Sequence, residues 1–173
     1  MLIDTGMADP VSIETWEIIL REYTTRRPIK KIIGTHFHPD HVGLAGWLIE
    51  RTDAEFWMSQ IEWLSARQAY LDAEELSLVK MRKFYDLAGL GADEKNLYHE
   101  IGNDYRDMVS PVPSVYNRID NETVFIVGGR TWRPIFGSGH SPDHVTLYNE
   151  KDQILLGGAV SYTHLTLPTN TPV

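Results

Sequence analysis

Cysteine is absent from the 173 residues, which excludes disulfides and thiolate metal ligands but does not identify a compartment. Basic side chains are also scarce, 16 Lys and Arg against 24 Asp and Glu. The resulting net charge of -8 and pI near 5.3 argue against a broad phosphate-tracking surface, so nucleic acid is not an expected partner. Long apolar runs are missing as well, which argues against a membrane span. No signal peptide is legible at Met1, and a cytoplasmic location is the expectation. Met1-Leu2-Ile3 reads only as the tail of a strand, so the first sheet is expected to be incomplete and the missing leader carries little weight. What the chain does have is 42% hydrophobic residues, enough for the core of one domain.

The stretch that stands out is Thr35-His36-Phe37-His38-Pro39-Asp40-His41. Lys31 to Gly34 reads as the end of a short buried strand, and Val42, Leu44, Ala45, Trp47 and Leu48 recur at helical spacing, predicting a helix over 42–51. The cluster therefore lies on a strand-to-helix loop. In an extended segment alternate side chains share a side, so His36 and His38 can point together, and Pro39 keeps His38 out of helical geometry. Asp40 and His41 follow on the turn into the helix, beside its positive end. A lone His is more often a surface or satisfied core residue, and a lone Asp is more often a helix N-cap. Three His with an Asp at this spacing favour a metal or catalytic site. Imidazoles joined by a carboxylate suit zinc or iron better than magnesium or calcium.

His36-x-His38-x-Asp40-His41 resembles the motif of the metallo-beta-lactamase superfamily. Leu2-Ile3-Asp4-Thr5-Gly6 is similar to that family's strand and Asp-x-Gly turn, and Gly139-His140-Ser141-Pro142 to a later ligand loop. The resemblance covers about residues 1 to 160. It implies an α/β fold, the αββα sandwich with metals at one edge, here incomplete and with a helical insertion at about 59–110. It makes His36, His38, Asp40, His41 and His140 the metal ligands, with one or two zinc ions expected and iron or manganese as alternatives. It implies that His144 starts a strand and does not bind metal. The implied reaction is hydrolysis of an ester, thioester or related bond in a small molecule by a metal-activated water, with Asp40 orienting that water and passing a proton. The helical, aromatic insertion and the acidic chain favour the hydroxyacylglutathione hydrolase type. A metal-binding fragment with little turnover and an iron-binding oxidoreductase branch are the alternatives.

Along the chain, Asp9-Pro10 opens an amphipathic helix over about 10–24, with Ile13, Trp16, Ile19, Leu20 and Tyr23 on one face. Glu55 to Met58 reads as a strand, and Ser59-x-x-Glu62 as a capping box for a helix to about Leu71. Further helices are expected over about 72–89 and, more weakly, 93–108. The insertion's aromatic and Met residues, Trp63, Tyr70, Met81, Phe84, Tyr85, Tyr98, Tyr105 and Met108, could line an apolar pocket, although at helical spacing such residues are more often packing. His99 reads as a surface residue. Thr123 to Val127, turned by Gly128-Gly129, pairs with Arg130 to Phe136, and Pro134 places that second strand at an edge or bulge. Gly137-Ser138-Gly139 then delivers His140, the expected third imidazole. Tyr148 to Asp152 reads as a turn, with Gln153 to Leu156 returning.

Two features depart from the resembled family. Ala159 follows Leu155-Leu156-Gly157-Gly158 where an Asp bridging two metals is usual, and the final His has no counterpart, His164 included. Residues 160–173 read as a non-native or disordered tail, which leaves 1–159 as the partial domain.

Overall fold

A computed structural model describes residues 1–71, 83–89, 91 and 105–159. The expected helices over 72–89 and 93–108 fall mostly outside these residues, as do Met81, Tyr98, His99, His164 and the tail. Residues 83–87 are helical, as is the short segment Tyr105–Met108.

The first sheet contains β1 (Leu2–Ile3), β2 (Lys31–Ile33), β3 (Glu55–Ser59) and β4 (Asn117–Ile119), in that order and with every neighbouring pair parallel. The second contains β5 (Phe125–Val127), β6 (Arg130–Gly137), β7 (His144–Asn149) and β8 (Ile154–Leu156), in that order and antiparallel. Strand alternation sorts the core. Ile32, Phe56 and Met58 face a helical layer with Leu44, Ala45 and Leu48, whereas Ile33 faces the second sheet, packing with Ile119, Phe125, Trp132, Val145 and Leu147. Three layers of an α/β sandwich result, helix on sheet on sheet. The far face of the second sheet, with Ile126 and Ile135, is exposed among the described residues.

Helix α1 (Pro10–Tyr23) starts as its sequence predicts, the Asp9 carboxylate accepting from the N–H groups of Val11 and Ser12 at 2.9 and 3.0 Å. Pro134 pairs with Leu147 beyond the reach of β5, which ends its pairing at Trp132, so one side of β6 is open there as a Pro requires.

The single helix expected over 42–51 is instead two, α2 (Pro39–Val42) and α3 (Ala45–Thr52). Leu44 N–H turns away from the helical ladder to the carbonyl of Gly6 at 3.1 Å and to Thr5 Oγ at 3.0 Å. The Gly43 carbonyl is taken by Ser110, through its N–H at 2.6 Å and its hydroxyl at 2.8 Å. Only glycine fits at 43, because a Cβ would lie 2.4 Å from the Pro39 carbonyl oxygen and 2.7 Å from that of Gly6.

Candidate metal centre

The site lies where β1 and β2 end, against the loop that joins β6 to β7. The β1 end supplies Asp4, which sits at φ 58°, a left-handed conformation that Asp tolerates better than most side chains. Its N–H donates to the Ile33 carbonyl at 2.8 Å, holding it beside the β2 end. Its carboxylate accepts from Thr35 N–H at 2.8 Å, Thr35 Oγ–H at 2.9 Å and His41 Nδ1–H at 2.7 Å.

These bonds decide the ring protons. Thr35 has one hydroxyl hydrogen and gives it to Asp4, so at the 3.0 Å contact with His36 Nδ1 the hydroxyl is the acceptor and Nδ1 carries the proton. The Nε2 of His36 is left with a free lone pair. Burial pushes the His36 pKa down to about 2, helped by the neighbouring His41, His38, His144 and His140. The ring is therefore neutral at any ordinary pH, as a metal ligand must be.

That lone pair does not point into a void. His38 Nδ1 lies 3.0 Å from His36 Nε2, and His140 Nε2 lies 3.1 Å from the same atom, having come from 104 residues away. His38 is held extended at φ -62°, ψ 146° by the following Pro39, as the sequence implies. Ligand nitrogens of the three rings lie within 4.8 Å of one another. In tetrahedral zinc with bonds of about 2.0–2.1 Å, neighbouring nitrogens stand ~3.3 Å apart, so a small relaxation admits an ion.

Asp40 and His41 adjoin this group but are paired with each other, His41 Nε2 standing 3.2 Å from an Asp40 carboxylate oxygen. Burial lowers the His41 pKa, but the hydrogen bond and charge of Asp4, with the charge of Asp40, more than offset it, and the net shift is upward. For His38, burial and the His140 ring depress the pKa, and Asp40 opposes them.

His144 begins β7, as expected, and is 1% exposed with both ring nitrogens lacking a hydrogen-bond partner among the described residues. Its ring centroid is 4.9 Å from that of His36, and burial pushes its pKa down. It stands outside the group of mutually close ligand atoms.

Residues 1–172 match the family profile described as "Metallo-beta-lactamase superfamily". The chain belongs to this superfamily. Among solved structures it is similar to a beta-lactamase domain protein from Burkholderia ambifaria, at 30% identity and TM-score 0.69 over 88% of this chain and 42% of that one. A metallo-beta-lactamase family protein from Thermus thermophilus is similar at 24% identity and TM-score 0.67, over 89% of this chain and 48% of that one. A subclass B3 metallo-beta-lactamase of Bradyrhizobium japonicum, at 18% identity and TM-score 0.54 over 84% and 44%, shares the fold. This metallo-beta-lactamase superfamily chain thus spans under half the length of these structures, and no curated protein matches it.

Two residues of the centre, Asp4 and Glu62, lie outside the ligand set expected from sequence. Asp4 was legible only as part of a family turn, though the Asp-x-Gly pattern marked it. Glu62, read as half of a capping box, does not turn back to Ser59; its buried carboxylate reaches the two ligand loops instead. Ser59 still receives the Glu62 N–H, at 3.4 Å. Of the insertion's aromatics, Tyr105 is packing: it is buried with Ala66, Val109 and Val112, and its hydroxyl donates to the Phe37 carbonyl. Trp63 stacks on Tyr116 at 4.3 Å between ring centroids, and Phe84 is exposed.

Proposed function

We propose that this chain carries the metal-holding part of a hydrolase that cleaves an ester, thioester or related bond in a small molecule, with chemistry of the hydroxyacylglutathione hydrolase type. The observation that carries the reading is the convergence of His36 Nε2, His38 Nδ1 and His140 Nε2 from two different sheets. Zinc is the ion proposed for these imidazoles, with iron or manganese as alternatives, and Asp40 and His41 are the residues proposed for a second ion. Such an ion, when bound, supplies Lewis acidity and lowers the pKa of a bound water toward ~7.

The protein's own contribution is orientation and proton handling. Asp4 and Thr35 fix His36 as the tautomer with a free Nε2, and Asp4 orients the His41 ring by accepting from its Nδ1–H, the kind of outer support that raises ligand basicity. The Asp40 side chain is 67% exposed beside the three imidazoles, open to an entering substrate, and in this reading takes a proton from the attacking water and passes it to the leaving group. A reading with metal binding but little turnover is favoured by Ala159, which leaves the second ion without a bridging carboxylate. An Asp there would lie beside Gly158, whose own Cβ position is 3.1 Å from His144 Nε2.

Equilibrium binding of zinc, followed by elemental analysis and by hydrolysis of a generic acyl-thioester, tests the proposal. About one ion per chain is expected, weakened in His36→Ala beyond the ~10–100-fold typical of losing an outer partner. Thioester cleavage above the metal-free rate supports the hydrolase. Binding without cleavage in this chain, cleavage appearing in Ala159→Asp, supports the low-turnover reading. Full zinc content in His36→Ala overturns both.

A further inference from the structure

Glu62 lies on α4 (Gln60–Leu71), on no ligand loop, yet its side chain joins both. It is 0% exposed. One carboxylate oxygen accepts the N–H of Phe37, the residue between ligands His36 and His38, at 3.0 Å. The other accepts the Ser141 hydroxyl at 2.7 Å and the Asp143 N–H at 2.6 Å, both on the loop just after ligand His140. Among the described residues no Lys or Arg forms an ion pair with it, so these donors are what satisfies a charge that would otherwise be expensive to bury.

We propose that Glu62 is a positioning residue of the metal centre, a clasp that sets the distance between the His36-Phe37-His38 loop and the His140 loop. The loops belong to different sheets, and the second lacks packing of its own, since Gly137, Ser138, Gly139 and His140 are all exposed. Apolar burial cannot therefore place His140, whereas two short hydrogen bonds to a fixed carboxylate can. The other end of the clasp is equally firm. The Phe37 carbonyl receives the Tyr105 hydroxyl while its N–H goes to Glu62, so the peptide units on both sides of Phe37 are pinned and His36 and His38 are held in register. Ser59 completes the tie by donating from its hydroxyl to the Asp143 carbonyl at 3.1 Å.

This inference rests on the three-imidazole site proposed above, and cobalt(II) serves as the probe because its visible absorption reports both occupancy and coordination geometry. Glu62→Gln keeps the shape but turns an amide N–H₂ toward at least one existing donor. The expected result is a ~10–100-fold weaker cobalt dissociation constant with altered absorption bands, the range for lost outer-shell support. Ser141→Ala, which removes one donor and keeps the carboxylate, is expected to weaken binding several-fold and decides the matter if Glu62→Gln does not fold. A lower melting temperature of the metal-free Glu62→Gln protein with wild-type cobalt affinity and spectrum would make Glu62 merely structural and overturn the proposal. Unchanged affinity in Ser141→Ala, where Glu62→Gln fails to fold, would do the same. Failure of the underlying site looks different: the wild-type chain itself then gives no cobalt bands, or His36→Ala keeps them.

Discussion

The loop after β2 buries Thr35 and His36 to 1% and 0% exposure and anchors them to Asp4, while the loop between β6 and β7 leaves Gly137 to His140 exposed. The first is bound to its surroundings at several points. Thr5 takes the His41 carbonyl through both its N–H at 2.8 Å and its hydroxyl at 3.0 Å, Leu44 is bonded to Gly6, and the Thr35 carbonyl accepts from Val145 N–H at 2.9 Å. The second is held chiefly through Ser141 and Asp143, its internal bond from Gly139 N–H to the Ser141 carbonyl being 3.1 Å long. One half of the centre is thus preorganised by many bonds, to Asp4, Thr5, Val145 and Glu62, and the other chiefly by the Glu62 carboxylate. Preorganisation of this kind sets ligand geometry before any ion arrives, and it makes the exposed half the place where affinity can be tuned.

Substitutions at glycine break this contrast most directly. Gly43→Ala pushes a methyl against three backbone oxygens, those of Pro39, Gly6 and Met108, at 2.4, 2.7 and 2.9 Å. None of them is a side chain that can swing aside, so a loss of about 3–4 kcal/mol is expected in urea denaturation. A loss below about 1 kcal/mol would show the first loop to be softer than its packing implies.

Acid titration of the metal-free protein probes the imidazoles of the first loop together with His144 at the start of β7. His36, His38 and His144 have pKa values lowered from 6.5, so the unfolded chain binds more protons than the folded one as pH falls below 6.5. Stability is therefore complete above that pH and declines below it, by up to about 1.4 kcal/mol per pH unit for each such ring. His41 works in the opposite sense: its raised pKa gives a contribution that is whole below 6.5 and lost as pH rises through the folded value. A melting temperature that falls between pH 7 and 5 checks the sum, and an unchanged or rising one contradicts it.

Gly139→Ala should have the smallest effect. Gly139 has φ +142°, but a Cβ there meets nothing within 4 Å, so the cost is backbone strain alone, about 1–2 kcal/mol. Its effect on stability should be well below that of Gly43→Ala, while its effect on zinc affinity is the larger of its two consequences. Equal destabilisation by the two substitutions would erase the distinction between the loops.

Much of the site is legible in the chain itself. His36 and His38 alternate on an extended segment and Pro39 stops the helix from starting early, both matters of neighbouring residues. His140 is legible from a glycine-rich turn together with family likeness. Ser59-x-x-Glu62 shows where such reading fails, for the same four residues serve a capping box or a clasp. What separates these uses lies 25, 79 and 81 residues away, at Phe37, Ser141 and Asp143. Asp4 is similar, since its partners Thr35 and His41 are 31 and 37 residues distant.

Sequence alone determined the αβ layering, the start of the first helix at Asp9-Pro10, the extended His38 before Pro39, and the residue types able to hold a transition metal, because short-range sterics and side-chain alternation act between near neighbours. Tertiary structure alone decided which carboxylate serves which loop, why the helix breaks at Gly43 and Leu44, and which imidazole nitrogen carries the proton. Those outcomes depend on donors and acceptors brought together only when the two sheets pack, and a buried polar group takes whatever partner that packing supplies.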